Sequence, residues 1–410
     1  MEQIYATAAL WMGLALIATF LASRLRISTA LMEILVGIVA AAVATRFIGS
    51  DALGADQEWL RFLASAGAVL LTFLAGAELE PAVMRAKWKE VSLIGVIGFA
   101  APFLGCAAVA RFALGWSGPA SWLAGIALST TSMAVVYSVL LETGLNQTGF
   151  GKGILGACFV NDLGTVVALG LIFSPFTWHT VAFVLGSAAT LALLPVLTPR
   201  LIDRYAHRTA AFRTKWLLGI LFGLGALATW AGSEAVLPAY IAGMLFSRVI
   251  AGDHTFVRRF RTLTVGFLTP FYFLRAGSLV SLTALGGAPL AFLALFAAKV
   301  GTKIFGLYPA IRFIRRDPKE RWYYTLLMST GLTFGTISAL FGLTHGIITQ
   351  AQYSYLVAVV IGSAVIPTLI ANARFLPKHL MATAAETSAV EQQRVVTDYQ
   401  ASESEPAEEG

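Results

Sequence analysis

Residues 153–173 read GILGACFVNDLGTVVALGLIF, an apolar run long enough to cross a bilayer with one carboxylate, Asp162, near its middle. An aspartate at that depth costs about 2.5–3.5 kcal/mol on insertion scales, so a chain that keeps one there has a use for it. Asn161 directly precedes it and adds an amide carbonyl oxygen to the same stretch. The rest of the chain is read around this pair.

Of 410 residues 57% are hydrophobic and 12% are charged, and apolar runs of about 20 residues recur along almost the whole length. Thirteen spans are expected, near 3–22, 29–46, 60–78, 90–111, 118–141, 152–174, 179–198, 216–231, 233–251, 262–282, 287–311, 322–344 and 353–375. The fold class is therefore an all-α polytopic membrane protein, with a transmembrane domain over 1–380 whose surroundings are the lipid bilayer. The N-terminus carries Glu2 and lacks a basic leader, so the first run is expected to stay as a helix. Cys106 and Cys158 lie inside apolar runs and read as packed thiols. No catalytic triad, metal-ligand spacing or strand-flanked GxGxxG is found, which argues against an enzyme, a bound cofactor and a nucleotide-binding regulatory domain.

The net charge of +7 does not describe a nucleic-acid surface, because the basic residues follow the span ends. With the N-terminus outside, 22 of the 29 Lys and Arg residues fall at inner ends and loops, against Arg46, Arg61 and Arg111 outside. The expected topology is N-out and C-in, in a cell (inner) membrane. After residue 380 the chain turns polar and acidic, and 381–410 is expected to be a disordered cytoplasmic tail.

Two spans are rich in hydroxyls and glycines: AGIALSTTSMAVVYSVL (124–140), which contains Ser129, Thr130, Thr131 and Ser132 in a row, and LLMSTGLTFGTISALFG (326–342). Secondary transporters break paired helices near the midplane and use the freed backbone groups to bind ions, whereas ordinary small-residue packing produces a similar composition. The fifth and twelfth spans occupy matching positions in two inverted five-helix repeats, spans two to six and nine to thirteen, which favours crossing discontinuous helices. Each broken span has a charged neighbour. Beside the first is Asp162; beside the second are Lys299 and Lys303, which share a helix face at i and i+4. At 1.5 Å per residue they lie about 20 Å and 13 Å from Arg312 at the inner end, too deep for both to reach water. An Asp–Lys pair at the crossing is the functional reading; a purely structural ion pair is the plain one.

Burial favours a neutral carboxyl and a nearby cation favours a charged one, so a proton and a small cation can compete for the same acid. Asn161 and the hydroxyls of Thr130 and Thr131 can add oxygen ligands, and Lys303 can hold Asp162 while no cation is bound.

The chain resembles the cation:proton antiporters of the Kef/NapA kind (cation:proton antiporter-2), within the monovalent cation:proton antiporter superfamily. The strings that carry the likeness run in order: LRISTALMEILVGIVA, LLTFLAGAELEP, ALSTTSMAVVYSVL, FVNDLGTVVALG, EAVLPAYIAGMLFSR, PFYFLRAGSLVSL, TKIFGLYPAIR and GLTFGTISALFG. They span roughly residues 3–378. The resemblance implies thirteen helices in an NhaA/NapA-like fold and an elevator mechanism in a homodimer. It implies a core domain including spans near 90–174 and 287–344, and a dimerisation domain from the remaining spans. It assigns Asp162, with Asn161 beside it, as the cation and proton carrier, Lys303 as the lysine facing it, and Thr131 as the threonine of the first broken helix.

Three departures stand out. Many electrogenic relatives have two adjacent acids where this chain has Asn161–Asp162, which points to one-for-one electroneutral exchange. Kef channels add a cytoplasmic sensing domain that this sequence does not include. Related exchangers place a serine four residues before the key acid, and Cys158 stands there, which keeps it among the candidate cation- and proton-binding residues but breaks the oxygen shell. Arg275 is a further intramembrane cation, read as a structural partner of Glu33, Glu78 or Glu234 or as a competitor of Lys303. Glu33, Glu78 and Glu80 read as hydrated inner helix ends, and the five histidines as surface residues.

The expected function is secondary active antiport, exchanging Na⁺ for H⁺ by alternating access. The alternatives are K⁺/H⁺ exchange or K⁺ efflux, and, from other classes, a channel or uniporter or an organic-anion symporter on a similar fold.

Overall fold

The computed structural model describes residues 2–25, 28–47, 49, 53–77, 85–173, 177–205, 211–231, 236–250 and 254–381. Glu78, Glu80, Glu234, His207 and the tail from 382 onward lie outside the described residues. Every described element is a helix. In chain order they are α1 (Glu2–Leu25), α2 (Thr29–Phe47), α3 (Glu58–Ala77), α4 (Trp88–Ala108), α5 (Gly118–Ser129), α6 (Met133–Glu142), α7 (Gly149–Phe173), α8 (Trp178–Tyr205) and α9 (Phe212–Trp230). There follow α10 (Val236–Ile250), α11 (His254–Leu263), α12 (Thr269–Ser278), α13 (Leu282–Gly287), α14 (Pro289–Arg312), α15 (Pro318–Met328), α16 (Thr333–Thr344) and α17 (Gln350–Arg374).

Among the described residues nine spans are long and apolar enough to cross a membrane, counting α15 and α16 as one. The other expected spans have different forms. The fifth is two half-helices, α5 and α6; the eighth is the 19-residue α9; the ninth is the 15-residue α10; and the tenth joins α11 to α12 through a widened turn at Thr264–Leu268.

The half-helices have readable ends. Ser117 caps α5 by accepting from the Ala120 amide, and Asp317 caps α15 by accepting from the Lys319 amide, each with a proline in the first turn. Their other ends stop inside the protein, where the last carbonyls need donors. Hydroxyls one turn on supply them: Ser129 donates to Ile126 O at 2.8 Å, Thr130 to Ala127 O at 3.2 Å and Thr330 to Leu327 O at 2.8 Å. Both breaks fall in Ser/Thr runs, whose hydroxyls add donors to helix-end carbonyls in a medium without water.

The helices sort into two packing groups. In one, α4 packs on α5, α7 and α14, while α16 packs on α5 and α17. In this arrangement α17, which the sequence reading left with the flanking spans, packs against α14, α15 and α16. In the other group α2 packs on α12 and α3 on α10. Backbone approach is close there. A Cβ at Gly243 would lie 2.1 Å from Phe73 O, and one at Gly76 would lie 2.2 Å from Tyr240 O. Gly243→Ala is therefore expected to push α3 and α10 apart and to cost about 1–3 kcal/mol. Thermal unfolding in detergent, followed by intrinsic fluorescence, should show a clear drop against Gly219→Ala, whose added methyl meets open space.

The groups meet along Tyr240 of α10, which stacks on Phe159 of α7 with centroids 5.1 Å apart and donates to Phe159 O at 3.1 Å. A second seam joins α17 to the end of α12: Tyr353 donates to Ala276 O at 2.6 Å, and the Ser281 amide donates to Ser354 Oγ at 2.8 Å.

Candidate functional site

The two breaks cross each other. Thr131 Oγ1, between α5 and α6, donates to Met328 O at the end of α15 at 2.8 Å, and the Ser132 amide donates to Thr330 O at 3.3 Å. Thr131 and Ser132 of the first break thus meet Met328 and Thr330 of the second, and Ser129, Thr130, Ser329 and Thr330 around them are all fully buried. Helix ends of opposite polarity converge here, so partial charges of both signs lie in a region with little water.

The middle of α7 runs past this crossing. Asn161 is fully buried and Asp162 is 2% exposed. Asn161 donates through Nδ2 to Ser129 O at 3.2 Å, which turns its Oδ1 away from the carbonyl. That Oδ1 has no hydrogen-bond partner, and neither does Asp162 Oδ1. The backbone N–H of Thr131 faces the same carboxyl group. Two neighbouring buried oxygens without donors are unusual, since such groups normally cost free energy unless satisfied.

From the other side α14 delivers two fully buried lysines. Lys303 Nζ donates to Thr131 Oγ1 at 2.9 Å, and Lys299 Nζ donates to Thr130 O at 3.4 Å. Neither forms an ion pair with Asp162 within 4.0 Å; the expected direct Asp162–Lys303 contact runs instead through Thr131. The Thr131 hydroxyl accepts from Lys303 while donating its one proton to Met328 O, so its hydrogen-bonding capacity toward a further ligand is largely used. Gly331 makes room for Lys299, because a Cβ there would lie 2.3 Å from its Nζ.

Cys158, one turn before Asp162 on α7, is fully buried against Met328, with its Sγ 3.5 Å from the thioether sulfur. Sequence reasoning missed Met328. Its sulfur meets Cys158 and its carbonyl meets Thr131, and nothing in a lone apolar residue at a helix end signals either contact. It also missed Tyr240, whose place beside Phe159 depends on the packing of α10 against α7.

The remaining charged residues fall away from the crossing. Arg275 pairs with Asp56 at 3.2 Å and donates through Nε to Ala55 O at 2.8 Å, so its partner is an acid of the α2–α3 connection that the sequence reading did not weigh. Glu33 is 3% exposed on the packed face of α2, which corrects its reading as a hydrated helix end. On the side expected to face inward, Glu90 accepts from Arg315 at 3.2 Å, and His379 sits 2.8 Å from Glu320. His379 is exposed, as expected of a surface histidine, and has Glu320 as a partner.

The fold and the site together define a polytopic helical membrane protein with a carboxylate at a crossing of two discontinuous helices. The transmembrane sodium/hydrogen exchanger family matches residues 12–372, and the chain belongs to that family. Among similar proteins, a probable Na(+)/H(+) antiporter 3 of Methanocaldococcus jannaschii is 23% identical over 78% of this chain and 85% of its own length. The Na(+)/H(+) antiporter of Enterococcus hirae is 25% identical over 86% of this chain and 93% of its own length. The glutathione-regulated potassium-efflux protein KefC of Salmonella arizonae is 24% identical over 80% of this chain, which spans 54% of that relative. Among solved structures, the sodium proton antiporter MjNhaP1 of M. jannaschii at pH 8 superposes with a TM-score of 0.69 over 93% of this chain and 99% of that one, at 14% identity; the two share a fold.

Proposed function

We propose that this chain exchanges a monovalent cation for a proton, and that the two compete for Asp162. The observation that carries this reading is the pair of orphaned buried oxygens, Asn161 Oδ1 and Asp162 Oδ1, at the crossing of two broken helices. A hard monovalent cation satisfies both as ligands, and a proton satisfies the carboxylate alone. The family and the relatives named for Na⁺/H⁺ antiport support the same exchange.

In the mechanism, Thr131 ties the cationic side of the site to the anionic side. With the site empty, Lys303 rests on the Thr131 hydroxyl while the Thr131 amide faces Asp162. Cation entry neutralises the carboxylate from the front; protonation does so when the cation leaves. Either neutral form lowers the cost of moving the carboxylate past the apolar seam at Tyr240, whereas the bare anion is held back. We assign the moving group to α4–α7 and α14–α17, the helices that pack around the crossing, and the static, dimerising group to α1–α3 and α8–α12. The motion is of the elevator kind, in an inner membrane, with the N-terminus outside.

With Asn161 in place of a second acid, one proton is exchanged for one cation. Reconstituted protein carrying a pH gradient is expected to collapse it on addition of Na⁺ or Li⁺, at a rate unchanged by clamping the membrane potential. An equal response to choline would remove the cation from the mechanism. A response to K⁺ alone would select the potassium reading suggested by the likeness to KefC.

A further inference from the structure

The mechanism above uses neither the Cys158 thiol nor the Met328 thioether, yet the two sulfurs are in contact, 3.5 Å apart. Cys158 lies one turn before Asp162 on α7, so both project from one face toward the crossing. Met328 ends α15 at the same crossing, where its carbonyl receives the Thr131 hydroxyl. Gly98 of α4 keeps the space between them shared: a Cβ there would lie 3.3 Å from Met328 Cε and 3.5 Å from Asn161 Nδ2. One small buried region thus presents a thiol, a thioether and two oxygens without partners.

Thiolate and thioether donors select soft d¹⁰ monovalent cations over hard ones. Ag⁺ and Cu⁺ carry the same single charge as the cations proposed for transport, so a pathway that admits Na⁺ by charge admits them too. We propose that the Cys158–Met328 pair makes this site a trap for soft monovalent cations, which lodge between the two sulfurs beside Asp162 and arrest exchange. The proposal rests on the antiport reading for the arrest, and on the geometry alone for the binding.

The step is a ligand exchange without redox change. The Cys158 S–H bond breaks, an Ag–S bond forms, Met328 Sδ donates a lone pair to the metal, and the thiol proton passes to the Asp162 carboxylate. Exchange then stops by occupancy: the metal, held by both sulfurs, fills the space beside Asp162 that a transported cation would enter. The order of the donors also explains why a thiol at 158 matters: a hydroxyl there would add a hard oxygen to the site and lose the trap.

The test uses the full chain, which has two cysteines, so Cys106 supplies the internal control. Purified protein in chloride-free nitrate buffer is titrated with silver nitrate and desalted, and bound silver per chain is measured by elemental analysis. In parallel, cation-driven proton movement is followed in proteoliposomes, each variant scaled to its own metal-free rate. Wild type and Cys106→Ser are expected to retain one silver per chain and to lose exchange more than tenfold, with onset slowed by saturating Na⁺. Cys158→Ala and Met328→Leu are expected to bind at least tenfold more weakly and to keep their own rates. Silver retained at full stoichiometry by Cys158→Ala, or lost in Cys106→Ser, overturns the assignment. Silver bound at Cys158 without arrest overturns its placement in the transport site. A wild type that binds silver at Cys158 but exchanges no cation under any condition counts against the antiport reading alone, since the binding is measured without transport.

Discussion

Asp162→Asn is expected to abolish cation-dependent proton movement while leaving the protein folded. The substitution is nearly isosteric, and the carboxylate oxygen it replaces has no hydrogen-bond partner to lose. Stability should therefore hold or rise, because a buried ionisable group without a close counter-ion is a cost to the fold. What disappears is the single group that takes up either a proton or a cation. In proteoliposomes the expected signal is a pH gradient that no added alkali cation collapses, a loss of at least a hundredfold. Unfolding in detergent should show a midpoint equal to or above that of wild type. A variant that unfolds early would assign Asp162 a structural role instead.

The second large effect is expected at Thr131→Val. Valine matches the shape and removes one hydroxyl, and that hydroxyl joins three elements at once. It accepts from Lys303 Nζ at 2.9 Å and donates to Met328 O at 2.8 Å, across a fully buried crossing. Removal leaves an ammonium and a carbonyl unpaired, each at about 1–3 kcal/mol, and more for the charged one. Exchange should fall by at least tenfold and the unfolding midpoint should drop. Thr131→Ser, which keeps the hydroxyl, should restore most of both. If valine leaves the rate intact, the lysine reaches Asp162 without the threonine. Comparison with Lys303→Met separates the two roles: if Thr131 is the bridge, the double variant should exchange no more slowly than Lys303→Met alone, although it should unfold earlier because Met328 O loses its donor.

Much of this was legible in the sequence because bilayer physics is strict. A buried carboxylate, two lysines on one helix face and Ser/Thr runs inside apolar spans are each costly without a partner, and the structure brings them to a single crossing. The breaks at Ser129–Ser132 and Ser329–Leu332 were readable for the same reason, as hydroxyl runs that supply donors to helix ends. Contacts set by the relative placement of distant helices were not legible. Thr131 lies 197 positions from Met328, and Cys158 lies 170 from it; no local pattern encodes either approach. Arg275 shows the same limit. Its need for a carboxylate was clear, but the partner came from Asp56 in a connection 219 positions away, where composition marks only a polar turn. Lys303 is fully buried, and its immediate neighbour is a hydroxyl rather than the acid.

The central claim is that cation and proton exclude each other at Asp162, and proton release on cation binding measures this directly. Purified protein in weakly buffered detergent solution is mixed with NaCl at a pH where the site is protonated, and the protons released are counted against the cations bound by calorimetry in two buffers of different ionisation enthalpy. The expected result is about one proton released per cation bound in wild type and neither event in Asp162→Asn. Cation binding without proton release, or release that persists in Asp162→Asn, would contradict it.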